Sequence, residues 1–306
     1  MTRNSSISRR SMISSLSVAG AAAMGGSETQ GAPSQKSRDA VAEDFRIQNR
    51  RIRQAVMGWC FKPMPAEDLI RHAVAIGIEG IEGIPTSAYP TAVQAGLKIS
   101  MVSSHGFGTG PADPANHDEC IAKLKSSIDT SAEFGRPVVI TFTGMRVDGM
   151  PDDVAEANCL ACWRKAIDYA EKKEVTLVLE HLNSRDNTHP MKGHPGYFGD
   201  DVERCVRLVR EMNSPHFKLL FDIYHVQIMN GDVIRRLKMY HDYIGHYHTA
   251  GNPGRCELDE NQEINYPAIM KAILETGYNG FVCQEFIPTW DDPVLALRHA
   301  ASVCDV

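Results

Sequence analysis

From residue 54 to residue 304 the chain keeps one hydrophobic rhythm. Short apolar runs at 55–59, 80–84, 99–103, 138–143, 175–180, 218–222, 244–248 and 281–285 read as strands, rich in Val, Ile and aromatic residues. Between them, the stretches 66–75, 118–134, 154–172, 201–212, 232–239 and 266–275 repeat apolar residues at helical spacing. Gly77, Gly135 and Gly277 fall just past three of these stretches, where a left-handed cap is wanted. Eight strand-helix repeats in about 250 residues predict a single-domain α/β fold, a (β/α)8 TIM barrel. A doubly wound sheet shares the alternation, but its dinucleotide site needs a glycine-rich turn after an early strand. None follows the run at 55–59.

Four of the apolar runs end on side chains of metal-binding type. VTLVLE ends at Glu180, KLLFD at Asp222, IGHYH at His248 and FVCQE at Glu285. In a barrel of this kind such residues stand at the C-terminal mouth, where active sites are built. Three carboxylates and one imidazole make an oxygen-rich site that suits Mn²⁺, Mg²⁺ or Co²⁺ better than a thiolate-loving metal. Such a centre leaves room for a hydroxyl and an adjacent carbonyl of one substrate, acidifying the C–H between them. Glu180 and Glu285, on opposite sides of that substrate, could remove and return the proton. A pair of rim carboxylates neutralised by nearby cations is the competing expectation.

The N-terminus breaks the rhythm. Arg9-Arg10 precedes a modest apolar stretch through Leu16 and Val18 and then the small residues Ala19 to Gly26. Residues 1–26 read as a twin-arginine export signal, which predicts a periplasmic protein delivered already folded and metal-loaded. Residues 27–50, rich in Ser, Gln, Arg and Asp, read as a solvated linker, and 51–306 as the barrel. No later stretch is long and apolar enough for a membrane span.

Composition adds exclusions. With 306 residues, 43% hydrophobic and 23% charged, the chain can bury a full core. A formal net charge of −6 gives no electrostatic reason to expect nucleic acid as a partner. The eight cysteines lack the spacing of a disulfide framework or a zinc knuckle and read as small buried side chains. An oligomer is compatible with all of this and specified by none of it.

The second half resembles a known family. Glu180-His181-Leu182-Asn183-Ser184-Arg185-Asp186, then Phe221-Asp222-Ile223-Tyr224-His225-Val226-Gln227, Pro253-Gly254-Arg255 and Glu263-Ile264-Asn265-Tyr266 are similar in order and spacing to hydroxypyruvate isomerases of the xylose isomerase-like superfamily. The resemblance implies metal ligation by Glu180, Asp222, His248 and Glu285, proton exchange by the two glutamates, and contacts from His225 and Arg255 to substrate oxygens. It also implies an isomerase converting hydroxypyruvate to 2-hydroxy-3-oxopropanoate through an enediolate. A guanidinium fork on a Pro-Gly turn suits a carboxylate-bearing substrate.

The first half matches less well. Glu82 is similar in place to a family glutamate on the second strand, with Gly83 and Ile84 replacing the hydrophobic residues usual after it, and is a further substrate-binding candidate. His105 stands where asparagine is usual and is another, while Trp59 and Trp290 are candidate pocket walls. Histidine at 248, in place of the expected glutamine, looks more like the ketose 3-epimerase branch, and export favours free sugars, 3-keto sugars or glycosides over hydroxypyruvate. Two other classes share the barrel. A metal-dependent endonuclease would need more histidine ligands and a basic groove, and a sugar-binding protein would not need two proton-carrying glutamates.

Overall fold

The computed structural model describes residues 44–306, and the expected export signal and most of the expected linker lie outside them. The apolar runs assemble into one parallel sheet that curves into a nearly closed barrel. Its strands are β1 (Arg53–Met57), β2 (Gly80–Glu82), β3 (Lys98–Ile99), β4 (Met101–Val102), β5 (Val138–Thr141), β6 (Leu177–Glu180), β7 (Phe217–Asp222), β8 (Ile244–Thr249) and β9 (Phe281–Gln284). Their order is β3-β2-β1-β9-β8-β7-β6-β5-β4. The expected TIM barrel is therefore what forms, with one irregularity. The run at 99–103, read as one strand, is two short pieces separated at Ser100, of which β3 pairs with β2 and β4 with β5.

Helices cover the barrel: α1 (Ala66–Ile76), α2 (Tyr89–Gln94), α3 (His117–Glu133), α4 (Asp152–Lys172), α5 (Val202–Met212), α6 (Ile223–Met229), α7 (Val233–Tyr240), α8 (Tyr266–Glu275) and α9 (Pro293–Cys304). Helix α5 shows why they form. Asp201 caps its start by accepting from the Glu203 N–H, Asn213 ends it at φ 49°, and Val202, Val206, Val209 and Met212 bury one face at helical spacing. Burying each such side chain stabilises the fold by roughly 1.5–3 kcal/mol. The sequence pattern missed α2, α6 and α9. The first two are short, and α9 (PVLALRHAASVC) carries too many small apolar residues for a clear polar face.

The folded part starts earlier than the boundary expected at residue 51. Ile47 is buried and its N–H reaches the Ile76 carbonyl, while Asp305 accepts from the backbone N–H groups of Gln48 and Asn49. Ile47 and the half-buried Phe45, whose carbonyl accepts from Arg298, dock it. Among the described residues no helix is long and apolar enough to cross a membrane. All eight cysteines are unpaired, and seven of them are buried.

Candidate metal centre and active site

Strand register carries the candidate ligands to one place. Asp222 on β7 pairs directly with His248 on β8, and Glu285 follows the last residue of β9. A register shift between Leu219 and Leu220 aligns Leu220 with His246, so His246 and His248, two apart, share the inward face. Ligand atoms of Glu180, Asp222, His248 and Glu285 all lie within 4.8 Å of one another, and all four side chains are buried. His248 Nδ1 stands 3.2 Å from Glu180 Oε1 and 2.7 Å from Glu285 Oε2.

The donor set fits a divalent cation. Burial, and then the charge of Glu285, push the Asp222 carboxyl up to about 7. Burial likewise raises Glu180. His248 is raised well above its ordinary value, the pull of Glu285 and Glu180 overcoming its burial. Three buried carboxylates compressed around one imidazole attract positive charge, whether as protons or as a metal ion.

Arg255 is the resident cation. It occupies a left-handed conformation (φ 55°) in the loop after β8 and is almost wholly buried. Gly251 stands early in that loop where a Cβ would collide with the Glu257 carbonyl oxygen, so only glycine fits. Glu263 ties the loop down by accepting from the Asn252 side chain and from Gln227. The guanidinium lies 2.7 Å from Glu285 Oε2, donates to the Met191 carbonyl and packs over the Trp59 ring at 5.3 Å. Burial alone would raise the Glu285 carboxyl, but Arg255 and then His248 hold it down at about 2.

His225 sits behind Asp222. Its Nδ1 accepts from the Asn183 N–H at 3.1 Å, so Nε2 carries the proton and faces Asp222 Oδ2 at 3.6 Å. Asp222 Oδ1 in turn accepts from the His225 N–H and caps α6. Burial drives the His225 imidazole well below its ordinary value, leaving it neutral. Asn183, inside the quoted motif but assigned no role from sequence, holds the His225 ring.

A cavity of about 220 Å³ opens above these groups. Glu180, Glu285 and Arg255 form part of its lining, together with Trp59, Phe107, Phe142, Met191 and His194. His194 was not legible in the sequence. It comes from the loop after β6 and packs at a tilt against Phe107 with ring centroids 4.1 Å apart, and burial lowers its imidazole to about 4.

Three expected pocket residues lie elsewhere or act differently. Glu82 is fully buried beneath His248, with its oxygens turned to His248, His246 and Ser100, so it does not line the cavity. His105 does line it, but Nε2 is bonded to Thr141 Oγ1 at 2.8 Å and Nδ1 to the Thr109 carbonyl at 3.0 Å, leaving the ring as a wall. Trp290 packs against His299 away from the cavity, while Trp59 lines it as expected. A wider depression of about 900 Å³, lined by Arg53, Lys98 and Phe281, lies at the opposite, N-terminal ends of the strands, remote from the ligand cluster.

A model of the xylose isomerase-like TIM barrel family covers residues 70–304. The chain belongs to that family. It is 27% identical over 233 residues to the 2-oxo-tetronate isomerase of Cupriavidus necator, an alignment spanning 72% of this chain and 86% of the relative. It is 26% identical over 188 residues to the hydroxypyruvate isomerase of Escherichia coli, spanning 59% and 70%. In fold it superposes on the E. coli 3-keto-D-glucoside 4-epimerase with a TM-score of 0.68 at 18% identity, covering 82% of this chain and 98% of the other. This family member is an isomerase-type enzyme, and its cluster of three carboxylates and a histidine is compatible with a divalent cation.

Proposed function

We propose that this enzyme interconverts hydroxypyruvate and 2-hydroxy-3-oxopropanoate with the help of Mn²⁺, Mg²⁺ or Co²⁺ held by Glu180, Asp222, His248 and Glu285. The observation that carries this reading is the pairing of Glu180 and Glu285 across one imidazole at the cavity floor. When bound, the cation would polarise the substrate carbonyl and hydroxyl and so acidify the C–H between them.

The protein groups divide the remaining work. Glu285, kept ionised by Arg255, takes a proton from C3 of hydroxypyruvate. Glu180, whose burial favours the protonated form, delivers one to C2, and the hydroxyl proton passes to the former carbonyl oxygen. Atoms balance, since one C–H and one O–H are exchanged between neighbouring carbons. Arg255 offers positive charge at the cavity wall for the substrate carboxylate, and His225 directs an N–H toward the same cluster. The cavity, at about 220 Å³, suits a three- or four-carbon compound better than a glycoside. The two curated relatives quoted above, whose names refer to small oxo acids, point the same way.

A second reading is supported by His248 itself. Its imidazole as fourth ligand favours a ketose 3-epimerase, or an enzyme that epimerises a 3-keto sugar at a carbon beside its carbonyl, in which the two glutamates would act on opposite faces of one carbon. In both readings the enzyme is exported by the twin-arginine-like segment at residues 1–26, and fractionation of cells producing the full chain tests that. The deciding experiment is incubation in D₂O with hydroxypyruvate, 2-oxo-tetronate, ketoses and 3-keto sugars. Deuterium at C2 of 2-hydroxy-3-oxopropanoate is the expected result. Label confined to C3 of a ketose, or to a carbon beside the carbonyl of a 3-keto sugar, would replace the first reading by the second, and no label in any substrate would sink both.

A further inference from the structure

We propose that Glu82 and His246 are positioning residues that hold His248 as a neutral ligand, protonated on Nε2 and with the Nδ1 lone pair aimed at the cation. The inference rests on the metal-centre reading above and assigns roles to two residues outside its ligand set.

His248 Nε2 lies 2.8 Å from Glu82 Oε1, and a carboxylate oxygen can only accept, so Nε2 must bear the hydrogen. Once the second proton is displaced, Nδ1 is the nitrogen left with a lone pair, and it is the one facing Glu180 and Glu285. A ligating imidazole ordinarily has its far nitrogen anchored in this way, which fixes both the tautomer and the ring plane. Glu82 is fully buried, so its charge needs support of its own. Ser100 Oγ donates to Oε2 at 2.5 Å, and His246 Nε2 stands 3.0 Å from the same oxygen. His246 is also buried, its ring edge-on to His248 with centroids 5.2 Å apart.

The competing possibility is a second cation held by Glu82, His246 and His248, whose ligand atoms also cluster within 4.8 Å. That would require His248 to ligate through both nitrogens and lose both ring protons. It would also displace the His248 N–H that now reaches Glu82. The geometry therefore points to one cation per chain, with Glu82 as an outer carboxylate.

Calorimetric titration of the metal-free full-length protein with MnCl₂ tests this without reference to turnover. Wild type should bind one Mn²⁺ per chain. Glu82→Gln presents an amide that can turn its N–H toward His248 and favour the wrong tautomer, so it should bind about 10- to 100-fold more weakly. His246→Gln keeps a donor and should stay near wild type, whereas His246→Leu should weaken binding several-fold at unchanged melting temperature. Ser100→Ala, a milder change, should weaken binding slightly even if Glu82→Gln fails to fold. Equal affinity in Glu82→Gln and His246→Leu would overturn the positioning role alone. Two Mn²⁺ per wild-type chain, one of them lost in His246→Leu, would overturn it in favour of a second site. No Mn²⁺ bound to wild type would sink the metal-centre reading and this inference together.

Discussion

Arg255 Nη2 lies 2.7 Å from Glu285 Oε2, and both side chains are almost entirely shielded from water. The contact sets the proton affinity of one of the two candidate proton carriers. Arg255→Met should therefore leave Glu285 with a buried charge supported only by His248 and raise its carboxyl from about 2 toward or beyond the ordinary range. The acid limb of the kcat/KM profile should move to higher pH, and stability should drop by about 3–5 kcal/mol, as when one partner of a buried pair is removed. An acid limb that stays in place would separate Arg255 from the proton chemistry.

Glu285→Gln and Glu180→Gln keep shape while removing a proton carrier. Each should lower substrate deuterium exchange by about 10²- to 10⁴-fold, the usual contribution of general acid–base catalysis, without a change in the far-ultraviolet circular dichroism spectrum. Exchange retained in either variant would remove that glutamate from the mechanism.

Cation affinity should fall with pH. Burial and the charge of Glu285 push Asp222 up to about 7, and Glu180 and His248 are also raised, so a cation must displace protons to bind. The apparent binding constant should therefore fall as pH is lowered, by up to about tenfold per unit for each proton displaced. Titration calorimetry in buffers of different ionisation enthalpy would count those protons. An affinity independent of pH between 5.5 and 8 would contradict the ligand set.

His181 predicts a pH effect on folding itself. Its ring is wholly buried, and burial lowers it from 6.5 to about 4. The unfolded chain takes up this proton near 6.5 and the folded one only near 4, so the stabilisation is complete above 6.5 and is lost as pH falls toward 4. At about 1.4 kcal/mol per unit this amounts to roughly 3 kcal/mol. Urea melts of wild type and His181→Gln at pH 7 and pH 4.5 should show that much less acid sensitivity in the variant. Parallel losses would refute the assignment.

The ligand cluster was legible because parallel strands in a barrel all point their C-terminal ends at one mouth. A polar residue closing an apolar run is thus a statement about position as well as chemistry, which is how Glu180, Asp222, His248 and Glu285 could be picked out across a hundred residues. The layer beneath was not legible. Glu82 stands 166 positions from His248, and only barrel curvature and the register shift before His246 bring the two within hydrogen-bonding distance. Asn183 could be read as part of a motif but not as the support for His225, since that role depends on which ring nitrogen faces which strand. His194 comes from an irregular loop with no period to read, and the break at Ser100 hides inside an apolar run that looks continuous.

That break has a consequence for motion. The backbone changes partner here, from β2 up to Ser100 to β5 from Met101, so thermal breathing of the barrel should begin at this seam, and the amides of 97–102 should be among the first of the inner wall to exchange with solvent. The Ser100 hydroxyl is bound to the Glu82 carboxylate. Each opening of the wall would therefore loosen the anchor of an imidazole on the far side of the barrel, tying how long an ion resides in the centre to how often the weakest joint of the scaffold yields.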